Sequence, residues 1–65
     1  MKELTYYLDW SNKKEDVKKV LLSLFVTIPC FIQVEYIEMN WVKVIVKCRQ
    51  EDCNTAEQFI ADLVS

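Results

Sequence analysis

The chain has 65 residues, a formal net charge of −2 and 52% hydrophobic residues, with no glycine and one proline. A chain of this length forms a single domain, residues 1–65, and buries only about 60% of the surface that its unfolded form exposes. The apolar content excludes a disordered chain. A core this small supplies only about 3–5 kcal/mol, so proteins of this size often add disulfides, a metal or a second subunit.

The three cysteines, Cys30, Cys48 and Cys53, predict neither disulfides nor a metal centre. An odd number cannot pair fully within one chain, and the spacing lacks the C-x2-C pairs of structural zinc sites, with no histidine to complete a set. No secretory leader is visible, and the longest apolar run, 20–29, is too short to cross a bilayer. We therefore expect a cytoplasmic protein with reduced thiols, no cofactor, no metal and no membrane partner. Self-association then becomes the expected supplement to the core.

The first half of the chain predicts a strand followed by a helix. Apolar residues alternate along 2–10, as in a half-buried strand. Ser11 or Asn12 can cap a helix that ends near Thr27 or Ile28, because the residue before a proline is pushed out of the helical region. One face of this helix carries apolar residues at helical spacing: Val17, Val20, Leu21, Leu24 and Ile28.

From Cys30 the apolar period changes to two, and the runs 30–37 and 41–49 predict a β-hairpin. A two-residue loop would pair inward with outward side chains. A three-residue loop, 38–40, avoids this and places Asn40 at the left-handed position that such loops require. It predicts these cross-strand pairs: Tyr36 with Val42, Val34 with Val44, Ile32 with Val46, Glu35 with Lys43, and Ile37 with Trp41.

The C-terminal segment predicts a second helix. Either Asn54 with Glu57 or Thr55 with Gln58 forms a capping-box signature. A stripe of Ala56, Phe59, Ile60 and Leu63 follows.

The resulting order is β-α-β-β-α, an α+β fold with a three-stranded sheet and two helices on one face. This is the ferredoxin-like order without its last strand. A right-handed crossover makes the first strand parallel to its partner, and the expected spatial order is 1-3-2. The first strand then lies at a free edge of the sheet.

The sheet face without helices is the first candidate binding surface. It carries five large apolar residues: Tyr7, Phe31, Ile37, Trp41 and Ile45. Uncovered edges and apolar faces on a small protein usually indicate a partner. The expected partners are a second copy, through this face or the edge of the first strand, or another protein. The alternative is that the chain termini or the rim of the sheet account for some of these residues.

Leu22 and Val26 are the second candidate surface. They lie about 140° and 180° around the first helix from Val17, since each residue of a helix turns by about 100°. Packing against the second helix is the favoured interpretation. Docking of a partner and simple exposure are the two alternatives.

The residue inventory argues against an enzyme, because the chain has no histidine, no glycine-rich phosphate loop and no pair of acids spaced as a catalytic dyad. Cys53 is the only candidate nucleophile.

RNA or single-stranded DNA could stack on Tyr7, Trp41 and Ile45, with Lys43 and Lys47 nearby. The net negative charge and the single arginine argue against this alternative.

A non-enzymatic protein-interaction module remains. The expected form is a homodimeric inhibitor, encoded by a phage or mobile element, that binds and blocks a host protein in the host cytoplasm.

Overall fold

The computed structural model describes residues 1–11 and 14–64, and these form a small α+β fold. The predicted order of strands and helices is present, with one additional turn of 3-10 helix. The elements are β1 (Lys2–Asp9), α1 (Lys14–Thr27), β2 (Cys30–Glu38), β3 (Trp41–Cys48), the 3-10 turn (Gln50–Asp52) and α2 (Cys53–Val64). Within the described residues, neither α1 nor α2 combines the length and apolar content that a membrane span requires.

The three strands form one sheet in the order β1-β3-β2. Both β1 and β2 are antiparallel to β3, which lies between them. The sequence predicted that the first strand runs parallel to its partner. This is wrong for the hydrogen-bonded partner of β1, because β3 runs antiparallel to it. β1 runs parallel only to β2, which is not its neighbour in the sheet. Both β1 and β2 are edges of this sheet, although the sequence had singled out only the first strand.

The register of the β2–β3 hairpin agrees with the prediction along its length, but the loop does not. Val34 lies opposite Val44, and the pairs on either side follow as expected. Near the turn, however, Glu38 rather than Ile37 pairs with Trp41. A bulge at Ile37 accommodates the extra residue that a three-residue loop would have held, so the inward pairing is kept with a two-residue turn.

The residue in the left-handed region of this turn is Met39, with φ 49°, and not Asn40 as predicted. The bulge moves the turn by one position relative to the strands. Met39 therefore occupies the backbone conformation for which Asn40 is better suited.

The core lies between the helices and the inward face of the sheet. β3 supplies its centre, and α1 and α2 cover it from one side. The fully buried side chains are Val42, Val44, Val46 and Cys48 from β3, Val17 and Leu24 from α1, and Ala56 and Ile60 from α2. α1 contacts β2, and α2 contacts β1, so each helix lies over one half of the sheet.

The ends of the helices agree with the prediction only in part. α1 ends at Thr27 as expected, where the Thr27 hydroxyl donates a hydrogen bond to the Ser23 carbonyl at 2.6 Å. The backbone N–H and hydroxyl of Ser11 donate to the Asp9 carboxylate, at 2.9 and 2.7 Å. The alternative cap, Asn12, lies outside the described residues.

α2 begins at Cys53, so Asn54 and Thr55 lie inside its first turn and do not precede it as caps. The reason is the 3-10 turn before it, which starts the helical path earlier. The Asp52 N–H donates to the Arg49 carbonyl at 2.9 Å, and the Arg49 Nε donates to the Asp52 carboxylate at 3.0 Å.

Candidate interaction surfaces

The sheet face opposite the helices is open to solvent, and we call it the open face. Four of its five predicted residues are exposed, to between 48% and 67%: Tyr7, Phe31, Ile37 and Trp41. The fifth, Ile45, is half-buried at the middle of β3. The alternation of each strand brings these residues to one side of the sheet, so their predicted placement on the face without helices is confirmed.

The charges of the open face lie in opposite pairs across neighbouring strands. Lys47 of β3 lies opposite Glu3 of β1, and Lys43 lies opposite Glu35 of β2. The Gln33 amide also donates a hydrogen bond to the Glu35 carboxylate at 2.9 Å. Each lysine predicted to meet nucleic acid therefore has a carboxylate in the adjacent strand, and the open face has no excess of positive charge.

Leu22 and Val26 are 66% and 75% exposed, so the prediction that they pack against the second helix is wrong. α2 lies along the other flank of α1, where Val20 and Asp16 line a shallow depression with Leu63. The apolar stripe predicted which side of α1 faces the sheet. It did not predict on which flank of α1 the second helix would lie.

Phe25 is a third exposed apolar residue on α1, at 58%, and the sequence reasoning missed it. It lies about 80° around the helix from Val17, on the flank away from Val20 and α2. The available signal was its position just outside the buried stripe.

The helix-facing side of β2 is also incompletely covered. Val34 and Tyr36 point to the same side as the core, yet they are 36% and 74% exposed. Trp10 packs edge-on against the Tyr36 ring, with centroids 5.9 Å apart. Leu22 and Phe25 are also apolar and exposed, on the flank of α1 away from α2, and we call these four residues the β2–α1 flank.

The three cysteines come together at the start of α2. Cys30 and Cys48 lie opposite each other in the hairpin, and the Cys48 Sγ is 3.9 Å from the Cys53 Sγ. Cys53 packs against the core, and its thiol donates a hydrogen bond to the Arg49 carbonyl at 3.6 Å.

Two thiols of this cluster, Cys30 and Cys48, have a pKa above that of an ordinary cysteine. Burial, followed by the hydrogen bond with Cys53, raises the pKa of the Cys48 thiol. Burial, followed by the negative charge of Asp52, raises the pKa of Cys30. Among residues 1–11 and 14–64, no group of three or more histidine, cysteine or acidic side chains is placed to hold a metal ion.

The chain matches no known protein-family model, and comparison with curated proteins and with solved structures finds no significant similarity. The candidate binding surfaces are therefore the two defined above, the open face and the β2–α1 flank.

Proposed function

We propose that this protein is a small non-enzymatic interaction module that binds another protein through its open face and also associates with itself. The observation that carries the proposal is the exposure of Tyr7, Phe31, Ile37 and Trp41 on one side of a 65-residue domain. Four large apolar side chains exposed on one sheet face are more than the scattered single residues of an ordinary surface, and such a face typically marks a binding site.

The composition of the open face favours a protein partner. Its exposed aromatic residues, Tyr7 and Trp41, belong to the types that supply most of the binding energy in protein interfaces. Its lysines lie beside carboxylates, so a partner needs no strong charge of either sign. An inhibitor encoded by a phage or mobile element, acting on a host protein in the host cytoplasm, is the form that we favour. Such a protein acts by covering a surface and needs no catalytic residues.

Binding of single-stranded RNA or DNA is the second candidate, because Tyr7 and Trp41 are exposed on an open sheet where bases could stack. The charges weigh against it. Contacts to phosphate dominate the affinity for nucleic acid, whereas Lys43 and Lys47 lie opposite Glu35 and Glu3 in a chain with net charge −2.

A comparative pull-down tests the proposal. The immobilised protein is incubated with lysate of a low-GC bacterium, because seven lysines to one arginine suggest an A/T-rich genome. Trp41→Ala removes an exposed aromatic from the open face. Val26→Ala is the control, because it removes an exposed apolar side chain of α1 that lies outside the open face and the β2–α1 flank. We expect Val26→Ala to retain the proteins that the wild type retains, and Trp41→Ala to lose them.

Two results would count against this assignment. Retention of the same proteins by Trp41→Ala would show that the open face is not the binding surface. Binding of a labelled single-stranded oligonucleotide that weakens steeply with salt and is lost in Trp41→Ala would favour the nucleic-acid alternative.

A further inference from the structure

We infer that β2 is the edge through which this protein self-associates. In this arrangement β2 pairs antiparallel with β2 of a second copy, with Val34 on the two-fold axis, and the β2–α1 flanks of both copies become buried. The β2 edge is thus the contact surface for the self-association proposed above, and its assignment rests on that proposal.

β2 has little of the protection that edge strands usually carry. Its apolar side chains are exposed on both sides of the sheet, with Phe31 and Ile37 on the open face and Val34 and Tyr36 on the helix side. Natural edges are blocked by charged side chains, lysine above all, by proline or by a bulge. β2 contains no proline and no lysine. Its charged residues are Glu35 and, next to the turn, Glu38, and its bulge at Ile37 leaves residues 30–36 regular.

The sequence of β2 is self-complementary in one register. In an antiparallel pair about a two-fold axis, the residue on the axis fixes every other pair. With Val34 on the axis, Gln33 lies opposite Glu35 of the second copy, so an amide donor meets a carboxylate twice in the dimer. Ile32 then lies opposite Tyr36, and Phe31 opposite Ile37, so that apolar side chains meet on both faces.

Two other registers also place side chains of the same sheet face opposite each other, and both give less favourable pairs. With Glu35 on the axis, two carboxylates lie directly opposite each other. With Gln33 on the axis, Phe31 lies opposite Glu35. A shift by a single residue would mix the two faces of the sheet.

The position of the helices supports the same edge. α1 lies on the β2 side of the sheet, and α2 packs on its far flank, so Leu22 and Phe25 lie toward the β2 edge. Paired strands are about 4.8 Å apart, whereas packed helices need about 8–10 Å between their axes. Two α1 helices therefore fit over paired β2 strands only if each helix lies inward of its own β2. The exposure of Val34 and Tyr36 on the helix side of β2 agrees with such a position.

Phe25 has a specific partner in this arrangement. It lies two residues, about 3 Å, from the end of α1 at Thr27. Ile32 lies about 6.6 Å from the start of β2, so the two residues are within about 4 Å of the same level. Tyr36 of the second copy lies opposite Ile32, which places it close to Phe25. The large exposed residues of the β2–α1 flank are thus buried by a single contact.

The edge of β1 is a poorer match for itself. With Tyr6 on the axis, Glu3 would lie opposite Asp9 of the second copy. With Thr5 on the axis, Lys2 would lie opposite Leu8. In addition, α2 rather than the apolar flank of α1 lies near this edge.

Sedimentation equilibrium of the full chain over a range of concentrations tests the edge and the register. Gln33 is exposed, so its substitution should leave the fold intact, which circular dichroism verifies. In the Val34 register, Gln33→Lys places a lysine opposite Glu35 twice per dimer, and opposite charges across strands contribute about 0.2–1 kcal/mol each. We expect dimerisation to tighten by about threefold to tenfold and Gln33→Glu to weaken it by a similar factor.

Other arrangements give different patterns. If Gln33 lies on the axis, both substitutions place like charges opposite each other and both weaken the dimer. If Glu35 lies on the axis, residue 33 faces Ile37, and neither substitution gains an opposite charge. Either pattern would overturn the register.

A second pair of variants tests the edge itself. Val34→Lys places two lysines on the axis and should give a monomer of 7.8 kDa, whereas Thr5→Lys on β1 should remain dimeric. A wild-type chain that stays monomeric at high concentration, or a dimer broken by Thr5→Lys but not by Val34→Lys, would refute the inference. If Val34→Lys fails to fold, the Gln33 variants decide. Refutation here leaves the pull-down result of Trp41→Ala unaffected, because Trp41 lies on the opposite face of the sheet from Val34.

Discussion

Substitution of Val44 by alanine should remove a large part of the stability of this protein. Val44 is completely buried at the middle of the central strand, between Tyr6 of β1 and Val34 of β2. The substitution removes two buried carbons, at about 0.8 kcal/mol each, and leaves a cavity that neighbouring strands on both sides cannot easily fill. We expect a total cost of about 2–3 kcal/mol, which is about half of what a core of this size supplies.

Val26→Ala is the matched control, because it makes the same chemical change at a side chain that is 75% exposed. Its cost should lie within about 0.5 kcal/mol of zero, since little burial is lost and alanine is the better helix former. Urea unfolding followed by circular dichroism, at a concentration too low for association, gives the free energy of unfolding of both variants. Equal costs for the two, or a cost for Val44→Ala below about 0.5 kcal/mol, would refute the assignment of the inward face.

Three further outcomes follow from burial and from the thiol cluster. The double variant Leu22→Gln, Val26→Gln should change the urea midpoint little, because both side chains are exposed; a loss of several kcal/mol would mean that they belong to the core. Cys53→Ser should retain the proteins that the wild type retains in the pull-down, and a chelator should leave the thermal transition of the wild type unchanged. Stoichiometric zinc in the purified protein would contradict this. The contribution of the Cys48 thiol to stability should be fully present well below pH 9 and be lost as the pH rises above 9, because the unfolded chain loses the thiol proton at the ordinary pKa of 9.0 while the pKa of Cys48 is raised in the folded state. Cys48→Ala should reduce this alkaline loss in urea titrations at successive pH values, and an unchanged loss would assign it to other groups, such as Tyr6, whose pKa is also raised by burial.

The sequence predicted those features that depend on a strict period. The hairpin register followed from matching inward residues in two adjacent strands, and the alternation of β1 and β3 placed Tyr7 and Trp41 on the open face. The turn was predicted wrongly because two solutions give the same pairing of inward residues. One is a three-residue loop, and the other is a two-residue turn with a bulge at Ile37.

The candidate surfaces were predicted less completely, for a physical reason. The apolar stripe of α1 defines the direction of the sheet, but the position of α2 depends on which strands each helix covers. For this reason Leu22 and Val26 were assigned to the wrong neighbour and Phe25 was missed. The exposure of β2 on its helix side could not be read from its pattern, which is as apolar as that of a covered strand.

The central position of β3 has a consequence for how the chain reaches its folded state. β2 and β3 are joined by a two-residue turn, so the hairpin can form by local closure. β1, in contrast, pairs with a strand whose far end is distant along the chain, as in the pair Lys2 and Cys48. Closing so long a loop costs entropy before any contact rewards it, and contacts of this kind slow folding. During synthesis β1 therefore lacks a hydrogen-bonding neighbour until β3, which ends at Cys48, has been made. We expect the docking of β1 onto a preformed hairpin to be the slow step of folding.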